Sequence, residues 1–150
     1  MDLSVITTYR CNSKCQMCYI WQNPTIPQEE ITPTLLSKLP NGFDNVNITG
    51  GEPTLRVDLL EICDVLYPKA RTLEISTNGL KPHLLIPIVK KYPNIKIRFS
   101  LEVTKFTNNI IRGEKNKWYE RTHCYRWKRF EYKTLNQVFF GESYNVILTT

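Results

Sequence analysis

The chain has 150 residues, which is enough for one domain with a buried core. Apolar residues make up 41% of it and charged residues 23%, so the composition excludes a wholly disordered protein. No apolar run approaches the ~20 residues that a membrane-spanning helix needs, and the first residues do not resemble a secretion signal. We therefore expect a cytoplasmic protein with no membrane partner.

The first predicted strand, Leu3 to Thr8, runs directly into a loop with the spacing Cys-x3-Cys-x2-Cys, formed by Cys11, Cys15 and Cys18. Three thiolates can hold three corners of an iron–sulfur cube and leave the fourth iron open, whereas a closed structural metal site uses four protein ligands. Three of the five cysteines lie within eight residues, which is a poor disulfide framework and is more typical of metal binding in a reducing compartment. A zinc site with His83 or His123 as the fourth ligand is the alternative.

Three more strands and three helices are predicted further along the chain. The three strands are predicted at residues 45–49, 72–77 and 95–101, and turn residues bound each of them. Helices are expected after Thr32-Pro33, over Leu59 to Leu66 with Asp58 as the cap, and over Leu84 to Tyr92, where Pro87 would kink the helix or delay its start. Strands that alternate with helices indicate right-handed βαβ units and a parallel sheet, so the fold class is α/β.

The two remaining cysteines have no role in this pattern. Cys63 lies in an apolar stretch with helical spacing, which favours a buried and inert thiol. Cys124 has no second cysteine near it, and we assign it no role.

Two further loops follow predicted strands directly. Gly50-Gly51-Glu52-Pro53 comes after the second strand, and Asn78-Gly79 comes after the third. In parallel α/β sheets the functional groups gather on loops at the carboxyl ends of the strands. We therefore expect these two loops and the cysteine loop to share one edge of the sheet.

The ordered set of Cys11-x3-Cys15-x2-Cys18, Thr49-Gly50-Gly51-Glu52-Pro53 and Ser76-Thr77-Asn78-Gly79 resembles the radical S-adenosylmethionine (SAM) superfamily. It is most similar to the branch that contains molybdenum-cofactor biosynthesis enzymes and peptide-modifying maturases. The resemblance covers residues 1–115 and implies a partial (βα) barrel of parallel strands, truncated to about four βα units.

The resemblance also implies a cofactor set and a role for each site residue. Cys11, Cys15 and Cys18 would hold a [4Fe-4S] cluster, and SAM would bind at a set of residues at the strand ends: Gly50, Gly51, Glu52, Pro53, Thr77 and Ser100. Glu52 would accept a hydrogen bond from the methionine ammonium. The residue before the third cysteine is Met17, where relatives often have an aromatic side chain.

The implied function is that of a radical SAM enzyme, an oxidoreductase that cleaves SAM reductively to a 5′-deoxyadenosyl radical. The radical would abstract hydrogen from an unknown substrate, and an electron donor such as flavodoxin or ferredoxin would reduce the cluster. The alternative is a non-catalytic iron–sulfur or zinc-binding module whose basic tail binds nucleic acid or a protein partner.

The net charge of +6 is concentrated near the carboxyl terminus. Residues 105–133 carry nine Lys or Arg against three Glu, interleaved with aromatic residues in a way that also occurs in single-strand nucleic-acid binders. No amphipathic stripe emerges in this region, although a helix with regular leucines would be expected there. We interpret residues 116–150 as an atypical basic-aromatic tail, truncated or frameshifted, and do not expect nucleic acid as a partner.

Overall fold

A five-stranded sheet forms the centre of the computed structural model, which describes residues 1–101 and 105–113 and the backbone of 144–149. The strands follow one another in space in chain order: β1 (Asp2–Ile6), β2 (Phe43–Thr49), β3 (Ala70–Thr77), β4 (Lys96–Leu101) and β5 (Tyr144–Thr149). The first four are parallel, which confirms the predicted α/β fold. β5 pairs antiparallel with β4 and lies in the predicted tail, where no strand was expected.

In the part of the chain that the structure describes, four short α-helices accompany the sheet: α1 (Pro33–Ser37), α2 (Leu59–Leu66), α3 (Ile86–Lys91) and α4 (Lys105–Ile111). The Thr32 side chain caps α1 as predicted, since its hydroxyl accepts a hydrogen bond of 3.2 Å from Leu35 N. Pro87 lies in the first turn of α3 and follows a 3-10 segment, Pro82–Leu85, so it delays the start of that helix.

The predicted capping role of the Asp58 side chain is wrong. Asp58 occupies the N-cap position of α2, but its carboxylate caps no helix N–H group. Both of its oxygens instead accept hydrogen bonds from the Arg56 guanidinium, at 2.7 and 2.6 Å. A bidentate pair with a charged partner is stronger than a neutral cap, and it takes the carboxylate away from the helix end.

The hydrophobic core lies on one face of the sheet. Successive side chains of a strand point to opposite faces, and the core side takes the alternate residues Val46, Ile48, Leu73, Ile75 and Ile97, which are at most 4% exposed. These residues pack in one cluster with buried residues of the first three helices, namely Leu36, Ile62, Leu66 and Ile88. The intervening strand positions carry polar side chains, among them Asn47, Glu74, Ser76 and Arg98.

Cys63 belongs to this core, as predicted. Its side chain is fully buried on α2 among apolar neighbours. Burial raises the pKa of the Cys63 thiol to about 12, which keeps the thiol protonated and unreactive.

Within the described ranges, no helix has both the length and the apolar character required to cross a membrane.

Candidate functional site

A cleft of about 150 Å³ opens at the carboxyl ends of the four parallel strands. Its walls contain most of the residues that the sequence singled out, namely Cys11, Cys15, Cys18, Gly50, Gly51, Thr77 and Ser100. Ser76, Asn78 and Met17 also line it. The three strand-end loops therefore meet at one edge of the sheet, as the parallel topology predicts.

The cysteine loop places its three thiols at different depths in this cleft. Cys15 is buried, Cys11 is half-buried and Cys18 is exposed. The Cys15 carbonyl accepts hydrogen bonds from Cys18 N and from the indole Nε1 of Trp21, both at 3.3 Å. Burial raises the pKa of the Cys11 thiol, and a hydrogen bond of 3.4 Å from Ser13 N to its sulfur acts in the opposite direction.

Among the described residues that line the cleft, the side chains with metal-binding chemistry are the three cysteines. Among the residues whose side chains are described, no three His, Cys, Asp or Glu side chains are grouped so that they could hold one metal ion. His83 is exposed, and His123 lies outside the described residues. Zinc gathers its ligands at ~2.0–2.3 Å from one point, whereas a [4Fe-4S] cluster takes each thiolate on a different iron. Three cysteines in one cleft are the soft sulfur donors that iron–sulfur clusters use.

The two glycines after β2 allow this loop to lie directly on the backbone at the end of β1. Gly50 has a φ of +138°, and a Cβ there would overlap the carbonyl oxygen of Thr8. A Cβ on Gly51 would lie 2.7 Å from the carbonyl carbon of Arg10. The close approach is held by hydrogen bonds from Gly51 N to Thr8 O at 2.7 Å and from Glu52 N to Arg10 O at 2.9 Å. Only glycine permits this contact between the two loops.

Glu52 and Pro53 lie behind the wall of the cleft. The Glu52 side chain is fully buried, and Pro53 begins a buried 3-10 turn, Pro53–Leu55. Oε1 of Glu52 accepts hydrogen bonds from Thr54 N, Thr54 Oγ1 and Thr77 Oγ1, at 3.1, 2.6 and 2.7 Å. Oε2 accepts one from Asn78 N at 2.7 Å. The carboxylate therefore connects the loop after β2 to the end of β3.

Thr77 and Asn78 shape the third loop of the site. The Thr77 hydroxyl donates to Glu52 and accepts a hydrogen bond of 3.1 Å from Gly79 N. The Asn78 amide nitrogen donates to Asn12 Oδ1 at 2.7 Å and lies 4.0 Å from the sulfur of Cys11. The sequence singled out Asn78 only as a turn residue, but its side chain links this loop to the cysteine loop.

A buried ionic network lies behind the cysteine loop and was not predicted from the sequence. Glu30 is its centre: its carboxylate accepts hydrogen bonds from Arg10 at 2.7 and 2.9 Å, from Arg56 at 3.1 Å and from the hydroxyls of Thr8 and Thr25. Burial opposes the ionisation of Glu30, but the hydrogen bonds from Arg10, Thr8 and Thr25 outweigh it and hold its pKa at about 2.

Arg112 is a further functional candidate that the sequence did not single out. It follows α4 and lines the cleft together with Ser100 and the cysteines. Among the described residues that line the cleft, it is the one with a permanently charged side chain.

The comparisons with known proteins agree with this geometry. The chain is 33% identical over 95 residues to a probable GTP 3′,8-cyclase of Thermococcus kodakarensis, which covers 59% of this chain and 31% of the relative. It is 32% identical over 132 residues to the GTP 3′,8-cyclase of Nostoc punctiforme, covering 76% and 39% of the two chains. It is 33% identical over 109 residues to molybdenum cofactor biosynthesis protein 1 of Bos taurus, covering 67% and 17%.

The chain thus spans less than two fifths of the length of these relatives. The family model of the Radical SAM superfamily matches residues 5–135, which runs past residue 115, the end of the core proposed from the sequence. The expected cofactors are confirmed at the level of the family. This chain belongs to the radical SAM superfamily, whose members bind a [4Fe-4S] cluster and SAM.

Proposed function

We propose that this chain forms the cluster- and SAM-binding part of a radical SAM enzyme, an oxidoreductase. Cys11, Cys15 and Cys18 would hold the cluster, and SAM would bind at the strand-end residues Gly50, Gly51, Glu52, Pro53, Thr77 and Ser100. The observation that carries this proposal is the single cleft in which the three thiols meet the loops after β2 and β3. When bound and reduced, the cluster would supply the one electron needed for reductive cleavage of SAM to methionine and a 5′-deoxyadenosyl radical, which would abstract hydrogen from a substrate.

The residues of the chain would bind and orient the cofactors. Gly50 and Gly51 present backbone without side chains at the cleft, which allows a ligand to come close. The resemblance implies that Glu52 would also accept a hydrogen bond from the methionine ammonium. Thr77 and Ser100 would hydrogen-bond the carboxylate and ribose of SAM.

The electron donor and the substrate are further parts of this proposal. A flavodoxin or a ferredoxin would reduce the cluster, and the reducing cytoplasm would keep the four described cysteines as free thiols. The substrate is unassigned. Since two of the relatives are named for the cyclisation of GTP, GTP is the first substrate to test.

The test is anaerobic reconstitution of the chain with iron and sulfide, for the wild type, Cys18→Ala and the control Cys63→Ala. Cys18 is exposed in the cleft, whereas Cys63 is buried in the core. We expect about four irons per chain and broad absorbance near ~400 nm for the wild type and the control, and a loss of at least half of both for Cys18→Ala. Reduction in the presence of SAM should then release 5′-deoxyadenosine.

Two outcomes would contradict the proposal. Bound zinc without an absorbing cluster would indicate a structural metal site. A cluster that forms without any cleavage of SAM would favour the non-catalytic module with a basic tail. Addition of GTP to the reaction would show whether 5′-deoxyadenosine formation responds to this nucleotide.

A further inference from the structure

The end of α4 contacts the cysteine loop on both sides of Cys15. The carbonyl oxygen of Ile111 accepts a hydrogen bond of 2.7 Å from Gln16 N. Gly113 lies against the Lys14 backbone on the other side. Because Lys14 and Gln16 are the immediate neighbours of Cys15, these two contacts fix the backbone from which the Cys15 side chain extends.

Gly113 satisfies two separate conditions at this contact. Its φ of +67° lies in the left-handed region, where it ends α4 as a glycine commonly does, with hydrogen bonds from Gly113 N to Ile110 O at 3.2 Å and from Arg112 N to Asn108 O at 2.9 Å. A Cβ at Gly113 would lie 2.9 Å from the Lys14 carbonyl carbon and would overlap its oxygen. The obstacle is backbone, so a side chain at residue 113 would push the cysteine loop or α4 away.

Cys15 is also the most constrained of the three cysteines on its other sides. It is 8% exposed, and its carbonyl oxygen accepts the hydrogen bonds from Cys18 N and Trp21 Nε1. A shift of its backbone would therefore break contacts in several directions. The buried position of this thiol depends on the end of α4 being in place.

We propose that Gly113 is a positioning residue for Cys15, acting through the Lys14 backbone and together with the carbonyl of Ile111. The inference rests on the proposed function, in which Cys15 is a cluster ligand. The β4–α4 unit would then position Cys15 in addition to supplying Ser100 and Arg112 to the cleft. One unit of the fold then aligns the middle cysteine with the wall of the SAM site.

Three variants separate the effect of the contact between residue 113 and the Lys14 backbone from the effect of backbone strain at a positive φ. Gly113→Ala introduces both the strain of a positive φ and the overlap with Lys14. Gly113→Asn introduces the same Cβ at less backbone strain, since Asn adopts the left-handed region more readily. Gly42→Ala is the matched control: its φ is +93°, and a Cβ there has no atom within 4 Å, so it carries strain without a contact.

The first readout is the rate at which each cysteine of the folded, metal-free chain reacts with iodoacetamide, followed by peptide mass spectrometry. We expect Cys15 to react on the order of tenfold faster in both Gly113 variants than in the wild type, because its loop opens more often. Cys63 should stay protected in every protein. Gly42→Ala should match the wild type at Cys15.

The second readout is the iron and sulfide content after anaerobic reconstitution, which should fall by at least half in both Gly113 variants only. Gly113 variants that match the wild type in both assays would overturn this inference and leave the proposed function intact. Variants in which Cys63 also becomes reactive would overturn it too, since the contact would then serve global folding. A wild-type chain that takes up no iron overturns the proposed function and this inference together.

Discussion

At the scale of single residues, the Glu52 carboxylate carries an unusual share of the local hydrogen bonding. It accepts four hydrogen bonds from donors on its own loop and at the end of β3, and no part of its side chain is exposed. A buried carboxylate is stable only if its hydrogen-bonding capacity is satisfied. Glu52 therefore holds the loop after β2 to the end of β3.

Replacement of Glu52 by Gln should destabilise the protein without any ligand present. The amide group keeps one acceptor oxygen but places an NH2 group against a donor that the carboxylate had satisfied. We expect the free energy of unfolding in urea to fall by about 2 kcal/mol. The control is Glu29→Gln, which is exposed and accepts one hydrogen bond of 3.1 Å from Ile26 N. It should change stability by less than about 0.5 kcal/mol, and equal losses for both variants would contradict the prediction.

At the scale of elements, the Glu30 network joins segments that are far apart in the chain. Arg10 follows β1 and directly precedes the cysteine loop, and Arg56 precedes α2. Arg56 also donates to the carbonyl oxygens of Thr7 and Ile31, both at 2.9 Å, and it forms the bidentate pair with Asp58. The network thus fixes the base of the cysteine loop to the connection between β2 and α2.

This network predicts a dependence of stability on pH. The pKa of Glu30 falls from 4.5 to about 2 on folding, so its contribution is present above about pH 4.5 and is lost as the pH falls towards 2. The shift corresponds to on the order of 3 kcal/mol. The hydrogen bonds from Arg56 lower the pKa of Asp58 as well. Protonation of Asp58 therefore also reduces the stability of the folded protein as the pH falls.

Urea unfolding of the wild type and Glu30→Gln at several pH values checks this prediction. The two proteins should differ most near neutral pH and converge as the pH falls through about 2, because the wild-type carboxylate becomes protonated in that range. Glu61→Gln, an exposed substitution on α2, serves as the control and should follow the wild-type curve. A constant difference between wild type and Glu30→Gln across the whole range would show that the ionisation of Glu30 is not the cause.

Local patterns were sufficient to predict most elements but not the contacts between them. The Thr32-Pro33 start of α1 and the effect of Pro87 on α3 depend on neighbours in sequence, and both were predictable. Nothing in the sequence shows that Glu30 meets Arg10 and Arg56, because those pairings arise from the folded topology. In the same network, the pairing of Arg56 with Asp58 takes the Asp58 carboxylate away from the helix end that it was predicted to cap.

The residues of the site also divide into those that a local sequence pattern predicts and those that only the folded topology brings together. The three cysteines and the Gly50-Gly51 pair stand out as ordered motifs after strands, and the structure brings them to one cleft. Arg112 reaches that cleft, and Gly113 reaches the cysteine loop, only because β4 and α4 return the chain to them. Their part in the site is a property of the tertiary structure.

At the scale of the whole molecule, the core forms one layer between the sheet and the first three helices. Cys63 lies fully buried in that layer, with a pKa of about 12, while Cys18 is exposed at the cleft. The two thiols therefore report on different events. Cys18 reports on access to the site, and Cys63 reports on global opening of the fold.

Alkylation of the native chain at about pH 8 should modify Cys18 at once and leave Cys63 unmodified until urea unfolds the protein. The rate at Cys63 should rise with urea in parallel with loss of the circular dichroism signal. The Cys63→Ala variant lacks the slowly alkylated peptide and so shows which peptide contains Cys63. A Cys63 thiol that reacts as fast as Cys18 in the native protein would be inconsistent with this core.

The alternation of side chains along the four parallel strands has an evolutionary consequence. Residues such as Val46, Ile75 and Ile97 build the core, whereas their sequence neighbours Asn47, Ser76 and Arg98 point to the other face of the sheet. Of these polar residues Ser76 lines the cleft, so the core and the cleft are built from different positions of the same strand. Substitutions that accumulate at such a position can therefore reshape the cleft wall while the core residues beside it stay unchanged.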